Sequence, residues 1–333
     1  MAIYILVAIL IAILSYQPQS KLGLLVCFVL LFLVSAFRGL DVGTDVMGVY
    51  YWQYVNHTPV RLIEYGWYFF RELFSLFLPY RAFIIAVSLL LLLPLFLFAW
   101  KCGKTAILVI LFYLLLYNFC YSLNTMRQLV AISLVLLATL YLKGEKKWLF
   151  YVLVIVASTI HTSALIMLVL PLLEKININN WIVIALLVAS YLFGLFNEEV
   201  FKGIDFTNYE DTYLNYFSQP FMRDVEFSWT RLMLNFVLII LLFTTDNSSL
   251  SLKLFIIGAV ILNLFPAFPD SGRIAKYFLV FQAPLFAMLK FNKDIKFETQ
   301  MMVKGVVWIY SVSVFLYLLN ANVGGVVPYS FAW

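Results

Sequence analysis

The chain has 333 residues, 64% of them hydrophobic and only 12% charged, with a mean hydropathy of +0.98. A soluble core of this size cannot hide so much apolar surface, so a water-soluble globular protein is excluded and the chain belongs in a bilayer. The net charge of +5 sits in short loops between apolar runs, where lysine mainly records orientation, and nucleic acid is set aside as a partner.

The first apolar run, 2–16, lacks a basic stretch and a small-x-small cleavage site, and a second run at 22–37 follows at once. It reads as a retained helix and not as a cleaved signal peptide. The connector that follows opens Phe37-Arg38-Gly39-Leu40-Asp41-Val42-Gly43-Thr44-Asp45 and continues to Tyr50. Two glycines and a threonine set among the acids Asp41 and Asp45 predict a tight polar turn on the membrane surface, with Arg38 at its lip. The plainer alternative is a solvated connector whose arginine snorkels to the headgroups. Farther on, Arg61, Glu64, Tyr68, Arg71 and Ser75 recur at helical spacing among Leu62, Ile63, Phe69, Phe70, Leu73 and Phe74. That pattern predicts an amphipathic helix lying in the interface, with Glu64 either a candidate general base or a surface carboxylate.

Apolar runs at 81–100, 105–121 and 127–142 predict three more spans. The last opens with Asn124-Thr125-Met126-Arg127-Gln128. Arg127 and Gln128 there form a convergent donor cluster, although a charge at a helix mouth is cheap and proves nothing alone. The stretch 148–173 is too long for one ordinary span and carries His161-Thr162-Ser163 between apolar neighbours. It is either one tilted helix or two short helices meeting at a polar turn. Runs at 181–197, 229–245, 253–268, 273–290 and 302–319 complete the set, giving about 11–12 membrane segments in one integral membrane domain, 1–333. Arg273 and Tyr277 share a face at the start of the tenth run, beside Lys276 and after Asp270, and an Arg273–Asp270 contact is the structural alternative. The loop 198–228 carries Tyr209, Tyr213, Tyr216 and Phe217 at helical spacing, a stripe that suits sugar C–H faces or simply seats the loop on the membrane.

Charge distribution decides the fate of 148–173. With Lys143, Lys146 and Lys147 inside, Lys101, Lys104 and Lys21 also fall inside and the N-terminus outside. A hairpin at 148–173 then returns Lys175, Lys253, Lys290, Lys293 and Lys296 to the same side, whereas a single helix inverts everything after it. The hairpin is therefore expected, with both termini outside and loops 38–80 and 198–228 external. On this topology Arg38, Arg61, Arg71, Arg81, Arg127, Arg223, Arg231 and Arg273 lie at the external face or the outer ends of spans. Arginine is a planar bidentate donor matched to phosphate oxygens, while lysine is a mobile point charge, so the split assigns orientation to lysine and chemistry to arginine.

Cys27, Cys102 and Cys120 lack metal-ligand spacing and read as small hydrophobes. No Walker sequence, paired CxxC, HExxH or dinucleotide glycine motif is present. His161 is one of two histidines; it is either a buried imidazole satisfied by a carbonyl or a functional group raised by its apolar setting and the adjoining Thr162-Ser163.

At several of these points the chain resembles the EpsG family, a branch of the Wzy-type polysaccharide polymerases. The matching pieces are Arg38-Gly39-Leu40-Asp41-Val42-Gly43-Thr44-Asp45 with Tyr50, Glu64-Tyr65-Gly66, Arg127-Gln128 with Ala131, His161-Thr162-Ser163-Ala164-Leu165, Arg273 with Tyr277, and Pro328-Tyr329. The resemblance implies an all-α, multi-span glycosyltransferase of the GT-C kind in the bacterial inner membrane, its active site facing the periplasm. It would use undecaprenyl-diphosphate-linked repeat units, with a terminal sugar hydroxyl of one unit attacking the donor's anomeric carbon. Membrane lipid is a further partner, as are a chain-length regulator and a flippase of the same pathway, and no cofactor is implied. Loss of a lipid diphosphate develops negative charge that fixed cations stabilise in the transition state. Arg38, Arg127 and Arg273 are the candidates for that contact, with Asp41, Tyr50, Gln128, Lys276 and Tyr277 as further substrate contacts. His161 is the first choice for the base, since imidazole titrates near neutral pH, with Glu64 and Asp45 competing. A metal held by Asp41 and Asp45 is the weaker alternative, because two carboxylates in one turn make an incomplete cage.

Three rivals come from other classes. A flippase of lipid-linked oligosaccharide should line a transmembrane cavity with charge, whereas here charge collects at one face. An integral-membrane acyltransferase would use His161 without obvious need for outward arginines. A scaffold of an export assembly is the third.

Overall fold

The computed structural model describes residues 1–17, 20–57, 64–202, 228–266 and 269–332. Across these residues the regular structure is helical, with two isolated bridges, Arg38 to Phe331 and Thr245 to Phe291. The protein is a helical membrane bundle. It divides into two compact units, one of residues 1–171, 286–288 and 311–333, the other of 172–285 and 289–310.

The first unit contains α1 (Ala2–Ser15), α2 (Lys21–Ala36), a short π-helix (Val46–Tyr51) that runs into α3 (Trp52–Val55), α4 (Tyr65–Phe77) and α5 (Tyr80–Lys101). It continues with α6 (Ala106–Leu115), α7 (Asn118–Asn124), α8 (Met126–Ala138), α9 (Lys147–Ile160) and a 3-10 stretch, Thr162–Val169, before α10 (Leu170–Leu173). Apart from the amphipathic α4, the helices are apolar round most of their surface, and packing decides which side turns inward. On α1, Tyr4, Val7, Ala8 and Ile11 are buried while Leu6, Ile9 and Ile13 are exposed, as expected where the outer solvent is lipid. Polar pairs are few and placed between helices, as with the Ser35 and Ser88 hydroxyls, 2.8 Å apart between α2 and α5.

Among the described residues, two helices, α5 and α16 (Phe297–Asn320), are long and apolar enough to cross a membrane unbroken. Others expected to be continuous are not. The run at 105–121 bends by 56° between α6 and α7, because Tyr117 takes a left-handed backbone, φ 65°, which interrupts the helical ladder. The run at 273–290 breaks into α14 (Pro269–Leu279) and α15 (Gln282–Ala287). Pro284 has no N–H to give to Val280 and its ring would crowd that carbonyl, but it fits the first turn of a new helix. The stretch 148–173, in contrast expected to be two pieces, is interrupted at His161, where extended backbone (φ −149°, ψ 111°) ends α9 and the 3-10 stretch begins. Two short helical pieces therefore meet at the polar turn.

After α16 the chain turns through Gly324 and Gly325, both at positive φ, and lies along the 37–45 connector. Gly43 N–H donates to Gly325 O at 2.9 Å, Thr44 N–H to Gly324 O at 3.0 Å, Gly39 N–H to Ser330 O at 2.9 Å and Ala332 N–H to Phe37 O at 3.0 Å. Tyr329 Oη donates to Val34 O at 2.9 Å and Tyr4 Oη to Val326 O at 2.8 Å. Glycine is required where the two strips touch: a Cβ on Gly325 would stand 2.7 Å from Thr44 Cγ2. The conformation of the connector is thus set by residues nearly three hundred positions away in sequence.

The second unit holds α11 (Asn180–Lys202), α12 (Trp229–Thr244), α13 (Leu250–Leu264) and α14, with α15 and α16 contributing residues to both units. Its interior is pinned by a reciprocal amide pair, Asn235 and Asn263, with 3.0 Å in each direction. Asn263 Nδ2 also reaches Ser190 Oγ on α11 at 3.3 Å. Buried amides that satisfy each other specify helix register in an apolar medium. The close approach depends on Gly194, where a Cβ would fall 1.8 Å from Asn263 O. Gly194→Ala must therefore push α11 off α13, at a cost on the order of 1–3 kcal/mol for overpacking. Thermal unfolding of the purified variant in detergent should shift downward, and an unchanged midpoint would show that the two helices are not in register as described.

Candidate active site

One carboxylate collects most of the candidate residues. Glu64 Oε2 accepts a hydrogen bond from Arg127 Nη1 at 2.6 Å, while Glu64 Oε1 lies 2.8 Å from His161 Nδ1. Thr162 N–H points at the same oxygen at 3.4 Å. The guanidinium of Arg127 stands over the Tyr50 ring, 5.7 Å from its centroid, within cation–π range. Asp45 lies within its electrostatic reach.

Local structure explains each placement. Glu64 is the residue just before α4, off helical geometry at φ −104°, ψ 50°. Two residues on, Gly66 lets α4 settle on the end of α9; a Cβ there would meet Thr159 Oγ1 at 2.2 Å and Thr159 O at 3.1 Å. That contact carries Glu64 to the break at which His161 sits. Arg127 occupies the first turn of α8, after Thr125 leaves helical geometry and its Oγ1 donates back to Tyr121 O at 3.1 Å. Tyr50 is held from the other side by Trp67, edge-on at 5.9 Å.

Asn124 fixes the connector to this helix mouth. Its Oδ1 accepts from Asp45 N–H at 2.7 Å and from Thr44 Oγ1 at 3.2 Å. Gly43, at φ 107°, packs so closely that a Cβ would be 2.9 Å from Leu123 O. Sequence reading passed over Asn124, Gly66 and Ser330 as site-builders. The signals for Gly66 were its place at the start of an amphipathic helix and within the Glu64-Tyr65-Gly66 piece, and for Asn124 an amide opening a span.

Burial raises the carboxyl pKa of Glu64, but the hydrogen bond to His161 and the Arg127 charge lower it by more, so the net shift is downward. Burial pushes the Tyr50 phenol up against the opposing pull of Arg127. At neutral pH the site therefore holds an ionised carboxylate and a neutral phenol. The cluster is neither sealed nor open: side-chain exposure is 24% for Arg127, 12% for Glu64 and 20% for His161. Glu64 is thus not a solvated surface carboxylate.

The remaining candidates make other contacts within their own units. Arg38 is 2% exposed. It donates to Ser35 O and faces Met126 Sδ at 2.8 Å, while Arg81 donates to the Arg38 carbonyl at 2.8 Å. Arg38 is an interior residue and not one at the lip of a turn. Asp41 is exposed and accepts a hydrogen bond from Ser330 Oγ. Gln128 is buried beside Arg127. In the second unit, Arg273 is exposed on α14, Lys276 is half-buried and Tyr277 is fully buried. Arg61, Arg223, Tyr209, Tyr213, Tyr216 and Phe217 lie outside the described residues, as does the side chain of Asp270.

The fold and this cluster define a helical membrane protein whose ionisable chemistry gathers where connectors meet helix ends. The profile of the EpsG family matches residues 21–331, and the chain belongs to that family. Membership points to a polysaccharide polymerase in general terms. No curated protein and no solved structure matches the chain.

The depressed carboxyl pKa of Glu64 fixes a pH dependence. A group whose pKa is lower when folded stabilises the protein above its unfolded value, about 4.3 for glutamate, and that stabilisation is lost as pH falls through the folded value. Glu64→Gln should therefore be less thermostable than the parent at pH 7, with the difference shrinking as the pH is taken below about 4. A difference that stays constant down to pH 3.5 would show that the carboxylate is not held by its partners.

Proposed function

We propose that the protein polymerises a glycan by transferring it from an undecaprenyl-diphosphate-linked donor to the terminal sugar hydroxyl of another lipid-linked repeat unit, at the periplasmic face of a bacterial inner membrane. The observation that carries this reading is the Glu64 carboxylate joined at once to Arg127 and His161. Family membership and the separation of arginine from lysine along the chain support it.

With Nδ1–H committed to the carboxylate, Nε2 is the ring nitrogen able to take a proton, and the ionised partner stabilises the imidazolium that results. In the transfer, the acceptor oxygen forms the new bond to the anomeric carbon. The bond from that carbon to the diphosphate oxygen breaks, its electron pair remaining on the diphosphate, and the hydroxyl proton passes to His161 Nε2. Arg127, anchored through one nitrogen by Glu64, has further donors for the departing phosphate oxygens, reinforced by the N-terminal end of α8. Glu64 is then a positioning group and Asp45 shapes the field around Arg127. Tyr50 provides the aromatic floor on which the guanidinium rests.

Incubating the purified protein with a defined lipid-linked repeat unit should yield a ladder of products; movement of the lipid without elongation would mean a flippase. His161→Ala should abolish the ladder while leaving donor binding largely intact, because the imidazole acts on the acceptor hydroxyl. Arg127→Lys should fold and insert normally yet elongate more slowly by about 10²–10³, since lysine keeps the charge and loses the planar donor set. Substantial turnover per folded molecule of His161→Ala would remove the imidazole from the mechanism.

Orientation is tested separately. In a background lacking the native cysteines, Glu145→Cys and Asn177→Cys flank the interrupted segment, both on the lysine side. Both should resist a membrane-impermeant thiol reagent added to intact cells. Labelling of either from outside would reverse that half of the topology.

A further inference from the structure

α2 and α5 pack antiparallel, and at the end where α2 begins and α5 finishes they leave an open groove of about 400 Å³. Its walls are Leu24, Leu25 and Phe28 from α2 and Leu93, Phe96 and Leu97 from α5, with Lys21 and Trp100 at the mouth. Phe28 and Phe96 meet edge-on at 5.2 Å. Each wall spans eight residues, 21–28 and 93–100, about 10 Å at 1.5 Å per residue step, from the helix end toward the middle of the membrane. The apolar lining continues into exposed Leu25, Leu93 and Leu97, so the groove opens sideways into lipid and not into water.

Its mouth is cationic. Lys21 lines it, and Lys101 Nζ lies over the Trp100 ring, 5.6 Å from the centroid. Among the described residues neither lysine has a carboxylate partner; the ion pairs there are built on Glu64 and Glu72. An indole at the interface beside two uncompensated ammonium groups, above an acyl-sized slot, matches a molecule with a phosphate head and hydrocarbon tails. The groove is also far from the arginine cluster. Arg81, which donates to the Ala36 and Arg38 carbonyls, stands at the other end of α5, twenty residues or about 30 Å from Lys101. That distance is about the thickness of a bilayer's hydrocarbon core, so the groove lies a membrane's width along α5 from the end where Arg81 stands.

We infer that this groove is a binding site for an anionic glycerophospholipid, one acyl chain lying between α2 and α5 and the phosphate resting on Lys21 and Lys101. The site is independent of the reaction proposed above. It gives the bundle an anchor in the lysine-side leaflet, where α2 and α5 would otherwise show lipid an unfilled seam.

The test uses the full-length protein in detergent micelles doped with equal amounts of phosphatidylglycerol and phosphatidylcholine, with retained lipid counted by native mass spectrometry. Phosphatidylglycerol should be retained preferentially. A juxtamembrane lysine is worth about fivefold in affinity for an anionic headgroup, so Lys21→Gln with Lys101→Gln should lower that preference by roughly tenfold or more. Leu97→Trp, which fills the groove and leaves both lysines, should reduce phosphatidylglycerol retention while leaving unfolding of lipid-free protein unchanged. Equal retention of both lipids, or a preference that survives both variants, would reduce the groove to ordinary lipid contact and overturn the assignment. Displacement of phosphatidylglycerol by an equimolar polyprenyl phosphate would overturn it as well.

Discussion

Burying a carboxylate at a membrane boundary is unfavourable unless the charge is met, and the arrangement around Glu64 follows from that requirement. Two partners meet it, Arg127 at 2.6 Å and His161 at 2.8 Å, and they come from segments 63 and 97 residues away. The three cannot converge unless α4 lies on the end of α9 and α8 opens beside both. The break at His161, the glycine at 66 and the irregular start of α8 are therefore one structural solution seen from three segments. The same pairing that satisfies Glu64 fixes the imidazole's orientation and tethers the guanidinium. Stability and the proposed chemistry thus draw on the same contacts.

The C-terminal strip is the second determinant. By pairing its backbone with Gly39, Gly43 and Thr44, it turns a glycine-rich connector into a fixed edge from which Asp45 and Tyr50 are presented. Asn124 then locks that edge to the mouth of α8. Arg38 belongs to this scaffold: its guanidinium is spent on the Ser35 carbonyl and the Met126 sulfur inside the unit. Arg127 differs in being partly exposed and held by Glu64 and Tyr50 at the mouth of α8, and that difference is why the proposed reaction gives the ligand contact to Arg127 and not to Arg38.

Much of the architecture was legible in the sequence, because hydrophobic runs in a membrane protein must satisfy their own backbones and so read directly as helices. Runs at 2–16, 22–37, 81–100 and 229–245 became α1, α2, α5 and α12 within a residue or two. The interruption at His161 was also legible, from the length of 148–173 and the lysines on either side. What escaped were breaks governed by single residues. Pro284 divides one run and left-handed Tyr117 bends another, and neither changes the hydropathy. Glu64, Arg127, His161, Asp45 and Tyr50 were each legible as candidates, but their convergence was not, since nothing in local pattern joins residues so far apart. Sequence placed Arg38 at the surface for a related reason: an arginine after an apolar run looks the same whether it snorkels to headgroups or is covered by a strip from the other end of the chain.

The central claim is that Glu64 and His161 act as one unit, with the carboxylate working through the imidazole. A double-mutant cycle on elongation rate tests it most directly, using Glu64→Gln, His161→Asn and the pair, each rate normalised to folded protein. If the account is right, the double variant loses clearly less than the product of the two single losses, because the carboxylate's work through the imidazole is already gone and only its hold on Arg127 remains. Losses that multiply would contradict it, showing that Glu64 and His161 serve separate steps.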